Sequence, residues 1–215
     1  MQLGLDLPVR TARGREDFMV SASNADAVAL LDGWRGWPQG RLALVGPPGS
    51  GKSHLTQIWA EETGGAVLPA AILEPEMAPR LAEAPLAVED ADRGVDEAAL
   101  FHVWNAAARS GMPLLLTGRA APATWDVALP DLRSRLASLT PATIAGPDDT
   151  LLSVLLLKLF ADRQIDVRPA LIGYLLPRME RSHAAAATLV DRLDREGLAR
   201  GQAVALPLAR EVLGG

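Results

Sequence analysis

The sequence contains no cysteine, which excludes a disulfide scaffold, thiolate catalysis and zinc sites built on thiolates. Histidine is scarce: His54, His102 and His183 are the three, far apart in the chain, and they suggest no ligand set. A basic excess is also missing, with 21 Lys and Arg against 26 Asp and Glu and a formal net charge of −5. A protein that grips DNA by its phosphates needs the opposite balance, so strong direct nucleic-acid binding is disfavoured. There is no membrane-spanning run. Residues 151–160 are the most apolar stretch, but Lys158 interrupts them and they are too short to cross a bilayer. The first residues lack a basic start followed by a long apolar stretch, so no secretory signal is read there. The expectation is a cytoplasmic protein with no membrane partner.

What the chain does have is length and apolar content. Its 215 residues, 49% of them hydrophobic, suffice for one α/β domain with a small helical appendage. Residues 1–15 read as a tail, punctuated by Gly4, Pro8 and Gly14. Beyond it, apolar spacing predicts helices over 24–34, 52–62, 96–110 and 131–139. Short apolar runs predict strands over Arg41–Val45, 66–68, 85–88, 113–116 and 142–144. Alternating strands and helices imply a parallel sheet with helices on both faces. After Gly146-Pro147 the strands stop, and helices are expected over 148–163, 169–178, 183–196 and 206–213. The expected organisation is therefore a tail (1–15), an α/β core (16–146) and an all-helical subdomain (147–215).

The most specific motif is Gly46-Pro47-Pro48-Gly49-Ser50-Gly51-Lys52-Ser53, which fits the phosphate-loop pattern G-x-x-x-x-G-K-[ST] and stands between an expected strand and an expected helix. Glycines let backbone N–H groups wrap phosphate closely, and the helix that follows adds the positive end of its dipole. Lys52 is placed to reach the β- and γ-phosphates of ATP or ADP, and the Ser53 hydroxyl to help hold Mg²⁺. Magnesium also needs carboxylates. The run 86–88 ends abruptly in Glu89-Asp90, at the strand end where α/β sheets place ligands. Glu89 and Asp90 are read as the carboxylates that support the metal, with Asp90 also orienting or activating water. A solvated acidic strand end, with Asp92 nearby, is the plainer alternative. Thr117 closes the next strand, where its hydroxyl either feels the γ-phosphate or caps the strand.

Several segments together resemble the DnaA/Hda family of AAA+ ATPases that act in bacterial replication initiation. Asp17-Phe18-Met19-Val20 followed by Asn24 is similar to that family's first box, which implies a place for Phe18 near the adenine. Gly51-Lys52-Ser53-His54-Leu55 matches its form of the phosphate loop. Leu100-Phe101-His102-Val103-Trp104-Asn105 resembles its helix after the acidic strand, and Leu132-Arg133-Ser134-Arg135-Leu136 its arginine-finger box. The resemblance covers nearly all of 16–213 and implies a P-loop AAA+ sheet followed by a helical lid. It also implies a regulatory role with no DNA-binding domain after the lid. Gln2-Leu3-Gly4-Leu5-Asp6-Leu7 resembles the peptide that bacterial proteins insert into the DNA sliding clamp, with Gln2 as polar anchor and Leu3, Leu5 and Leu7 as apolar contacts. A frayed terminus is the alternative there. The implied partners are the clamp and DnaA, with DNA reached only through the clamp and a homo-oligomer left open. The implied chemistry is Arg135 reaching the γ-phosphate of ATP held by DnaA. The alternative is a surface arginine paired with Asp131, four residues away. The pattern departs from the family at Glu89, where an aspartate is usual, and at Ala184, which falls where the lid should supply an arginine to the phosphates. Arg181, one turn earlier, is the candidate substitute. A DNA-stimulated helicase loader is the second functional reading, and a small-molecule phosphotransferase the third.

Overall fold

Strands buried on both faces of a parallel sheet read as continuous apolar runs, and Arg41–Val45 and Leu114–Gly118 are buried at every position. The computed structural model describes residues 18–214. Gln2, Leu3, Leu5 and Leu7 of the clamp-like peptide therefore lie outside the described residues. The chain forms α1 (Ala25–Asp32), β1 (Arg41–Val45), α2 (Lys52–Thr63), β2 (Ala66–Pro69), α3 (Ala78–Leu81), β3 (Leu86–Glu89), α4 (Glu97–Ser110), β4 (Leu114–Gly118), α5 (Pro130–Ala137), β5 (Pro141–Thr143), α6 (Asp149–Ala161), α7 (Pro169–Leu175), α8 (His183–Arg200) and α9 (Leu206–Leu213).

All strand pairings are parallel, in the order β2-β3-β4-β1-β5. Because side chains alternate across a strand, each strand feeds two cores. Leu86, Val88, Leu114 and Leu116 join α3, α4 and α5 in one core, through Leu100, Val103 and Leu132 among others. Leu42, Leu44, Ala87 and Leu115 join α1 and α2 in the other, through Leu31, Leu55, Ile58 and Trp59. The third core belongs to the helices after β5, where Phe160, Leu175, Val190, Leu193 and Leu208 meet. The change of character at Gly146-Pro147 thus falls in the link between the last strand and α6.

Three expectations shift in detail. Helix α1 stops at Asp32, where Gly33 donates back to Ala29, and a short 3₁₀ turn (Trp34–Gly36) takes over. Helix α8 runs on to Arg200, supported by the Asp191–Arg195 and Glu196–Arg200 pairs and closed by Gly201 at φ 61°. Strand β4 includes Thr117 and Gly118, so Thr117 stands inside the strand rather than at its close.

Candidate nucleotide site

Strand β1 delivers the chain into the loop 46–51, and α2 begins at Lys52. Gly51 takes φ 99°, a left-handed conformation that turns the loop into the helix. Gly49 is more constrained. Its φ is 71°, and a Cβ added there would stand 2.4 Å from the Ser182 Cβ. Ser182 is the N-cap of α8, its hydroxyl accepting from Ala185 N–H at 3.0 Å. The His183 N–H also faces the Gly49 carbonyl at 3.4 Å. The lid helix therefore starts directly on the phosphate loop, and the lid presses on it through a position with no side chain. Of the loop's other residues, Pro47 and Pro48 are exposed, while Gly46 and Ser50 are buried; the Ser50 Oγ has no hydrogen-bond partner.

The Lys52 ammonium is buried and folds back on the loop, donating to the Gly46 carbonyl at 2.7 Å and the Pro47 carbonyl at 3.0 Å. Burial lowers its pKa, against the opposing pull of Asp90 and Asp92; Arg119 and Arg93 lower it further. Ser53 is exposed on the first turn of α2. Phe18 is buried, packs edge-on against His54 with ring centroids 5.3 Å apart, and lies beside Gly51. These two rings form an apolar flank to the loop.

Strand β4 lies between β1 and β3, so its tip separates the loop from the acidic strand end. Thr117 ties that tip to β3. Its hydroxyl accepts from the Asp90 N–H at 3.0 Å and its carbonyl from the Ala91 N–H at 2.8 Å. Asp90 sits at φ 55°, is exposed, and pairs with Arg93 at 2.9 Å. Glu89 and Asp92 behave differently: Glu89 Oε1 and Asp92 Oδ1 are both covered and without a hydrogen bond, Arg93 Nε standing 3.9 Å from the latter. Asp92 also accepts the Arg119 N–H on Oδ2 at 2.8 Å and is only 11% exposed. Two covered carboxylate oxygens without hydrogen bonds are what a divalent cation shared with phosphates would complete. No set of three His, Cys, Asp or Glu side chains among the described residues converges for a metal. That fits Mg²⁺, which is commonly held by one or two carboxylates plus substrate phosphates. Glu89, Asp92 and Ser53 are the residues that would hold it, and the ion would neutralise phosphate charge.

Asp92, Arg93 and Arg119 are the site residues that sequence reasoning passed over. The signal was present in Glu-Asp-Ala-Asp-Arg after an apolar run, and in an arginine directly after Thr117-Gly118. Arg181, next to Ser182, is exposed and pairs with Asp149, at the start of α6, at 2.8 Å. Ala184 is exposed on the first turn of α8.

Arg133 and Arg135 part company as expected of neighbours two positions apart on a helix. Arg133 turns back to hold the Val127 and Ala128 carbonyls. Arg135, half-buried in the last turn of α5, stacks over Phe101 at 4.6 Å and donates to the Asn105 side chain. No ion pair joins it to Asp131 among the described residues. Its charge also acts on Arg41, the first residue of β1. The phosphate loop follows the last residue of β1, so the two lie at opposite ends of that strand, about 15 Å apart along it.

Several solved structures share this architecture. Domain III of the Thermotoga maritima replication initiation protein DnaA superposes with a TM-score of 0.77 over 97% of this chain and 98% of that one, at 18% identity. This is the AAA+ fold. AMPPCP-bound DnaA from Aquifex aeolicus gives 0.70 at 17% identity, over 86% of this chain; the chain spans 65% of that protein's length. A RuvB variant from Thermotoga maritima gives 0.74 at 16% identity, over 94% of this chain and 71% of that one. No protein-family model and no curated protein sequence matches the chain. Among the described residues, no helix is long and apolar enough to cross a membrane.

Proposed function

We propose that the chain is a nucleotide-binding regulator of replication initiation. Tethered to the DNA sliding clamp by Gln2, Leu3, Leu5 and Leu7, it presents Arg135 to ATP held by DnaA and so promotes that ATP's hydrolysis. One observation carries this reading: the half-buried Arg135 guanidinium lies at the end of β1 opposite the chain's own phosphate loop, within reach of no nucleotide held there. Beyond its contacts with Phe101 and Asn105, a guanidinium so placed suits work on a neighbouring molecule. There it would offset charge developing on the transferred phosphoryl, a contribution of about 10³–10⁵ in rate in well-studied GTPases. Asn105 and Phe101 orient it without neutralising it, since neither bears a negative charge. The chain's own ADP or ATP, bound through 46–53 with Mg²⁺, then fixes the seat of the lid on the loop and with it the shape presented to DnaA.

The test is a reconstituted assay with clamp-loaded DNA and DnaA carrying labelled ATP. Arg135→Ala should abolish stimulated hydrolysis and leave nucleotide binding by this chain intact, and deletion of residues 1–7 should abolish clamp binding without unfolding the core. Stimulation that survives Arg135→Ala refutes the finger. The second reading, a DNA-stimulated ATPase of the helicase-loader kind, draws support from the covered Glu89 and Asp92 oxygens that lack hydrogen bonds, and from the action of Asp92 on Lys52. Turnover by this chain alone, raised severalfold by bare DNA, would select it.

A further inference from the structure

A cavity of about 270 Å³ opens at the end of the sheet where β1 begins, remote from the phosphate loop. Its walls come from α1, the turns after it, α4 and the link from α5 to β5. Leu30, Trp37, Leu42, Trp104 and Leu139 make them largely apolar, and Arg41 is the charged group among them.

Arg41 is 4% exposed. It donates to three carbonyls, those of Gly40 and Met112 at 2.9 Å each and of Trp104 at 3.3 Å, and its guanidinium lies 5.5 Å from the centre of the Trp104 ring. The Nε is covered and has no partner. None of the ion pairs among the described residues includes it. The charged group that acts on it is another cation, Arg135; burial lowers its pKa and Arg135 adds to the effect. Carbonyl dipoles offset part of the cost of burying a guanidinium, but a buried charge is ordinarily matched by an opposite one. Here the matching anion is missing from the described fold, and the space beside the cation is roomy and lined with indole and leucine.

From this we infer that the cavity binds a small carboxylic acid with an aromatic or similarly sized apolar body, its carboxylate facing Arg41 and its body lying against Trp37, Trp104 and Leu139. A cavity with apolar walls and one convergent polar group is the ordinary form of a small-molecule site, and a carboxylate supplies the planar acceptor that a guanidinium matches. The site does not depend on nucleotide. It touches the link that follows Arg135, so occupancy would be felt by the last turn of α5.

The probes are phenylacetate and its neutral counterpart phenylacetamide, titrated into the full chain while the Trp37 and Trp104 indole N–H resonances are followed by NMR. Saturable binding of phenylacetate is expected, with the amide at least about tenfold weaker because a charge-assisted hydrogen bond is lost. Arg41→Met should weaken phenylacetate by a similar factor. Because that change strips donors from three carbonyls and can unfold the chain, Gly36→Phe is the second variant. Gly36 stands at the cavity rim, and a Cβ added there meets no atom within 4 Å. This substitution should block the cavity with the fold intact and remove the indole shifts. Equal binding of acid and amide, phenylacetate affinity unchanged in Gly36→Phe, or no saturable shift at millimolar concentration would each overturn the inference.

Discussion

Replacing Gly49 by alanine tests whether the lid rests on the phosphate loop in solution. Two costs are expected. The first is conformational: Gly49 holds φ 71°, where an L side chain costs about 1–2 kcal/mol. The second is steric: the new methyl would stand 2.4 Å from the Ser182 Cβ, which is stiff backbone-proximal carbon at the cap of α8 rather than the end of a pliable side chain. Overpacking of that kind costs about 1–3 kcal/mol. Gly64 separates the two, because it has φ 68° and nothing within 4 Å of an added Cβ. Gly64→Ala should therefore report the conformational cost alone. In urea unfolding, Gly49→Ala should lose about 1–3 kcal/mol more than Gly64→Ala. Added ADP should restore less stability to it than to the parent, since a displaced lid closes poorly over nucleotide. If the two variants lose the same stability, α8 does not sit on the loop, and the link from bound nucleotide to lid position falls with it.

Lys52 makes nucleotide affinity fall at alkaline pH. Burial lowers its pKa in the free protein, and phosphates would raise it, so binding takes up a proton once pH passes the lowered value. The free protein's stability takes the opposite sign: it rises with pH in that window because the unfolded chain holds the proton longer. Titration of a fluorescent ADP analogue across that range should show the decline, and Lys52→Ala should bind weakly without it. Asp92→Asn should reduce the gain in nucleotide affinity that Mg²⁺ confers by more than Asp90→Asn does, because Asp92 Oδ1 is covered, has no hydrogen bond and meets Arg93 only at 3.9 Å, whereas the exposed Asp90 pairs with Arg93 at 2.9 Å; the reverse order would return the metal role to Asp90. Asn105→Asp places a carboxylate on the Arg135 guanidinium and should depress stimulated hydrolysis on DnaA about as strongly as Arg135→Ala, with the fold unchanged; full stimulation would show that charge at Arg135 is not what DnaA reads.

The sheet and its order of elements were legible because each strand is an apolar run ending in a group that cannot stay buried: Val45 gives way to glycine and proline, Val88 to Glu89-Asp90. The phosphate loop was legible for the same reason, since its glycines have no other use at that density. What escaped was anything set by side-chain direction across space. Asp90 was readable at the strand tip and Asp92 was not; both act on Lys52 and both meet Arg93, but the left-handed turn at Asp90 leaves its carboxylate exposed while that of Asp92 is covered. Arg181 could be assigned to phosphate from helical spacing, yet Asp149, far away in sequence, holds it in this structure. Arg135 is the instructive case between these. Its box was readable as a local pattern, but the role proposed for it rests on two facts no local pattern carries. It lies at the far end of β1 from its own loop, and the groups that hold it, Asn105 and Phe101, orient a charge without cancelling it. A residue that needed only to stabilise α5 would gain more from Asp131 at helical spacing. The chain leaves Asp131 exposed and spends the guanidinium on a neutral amide and a ring face, an arrangement that keeps its positive charge available to a molecule outside the fold.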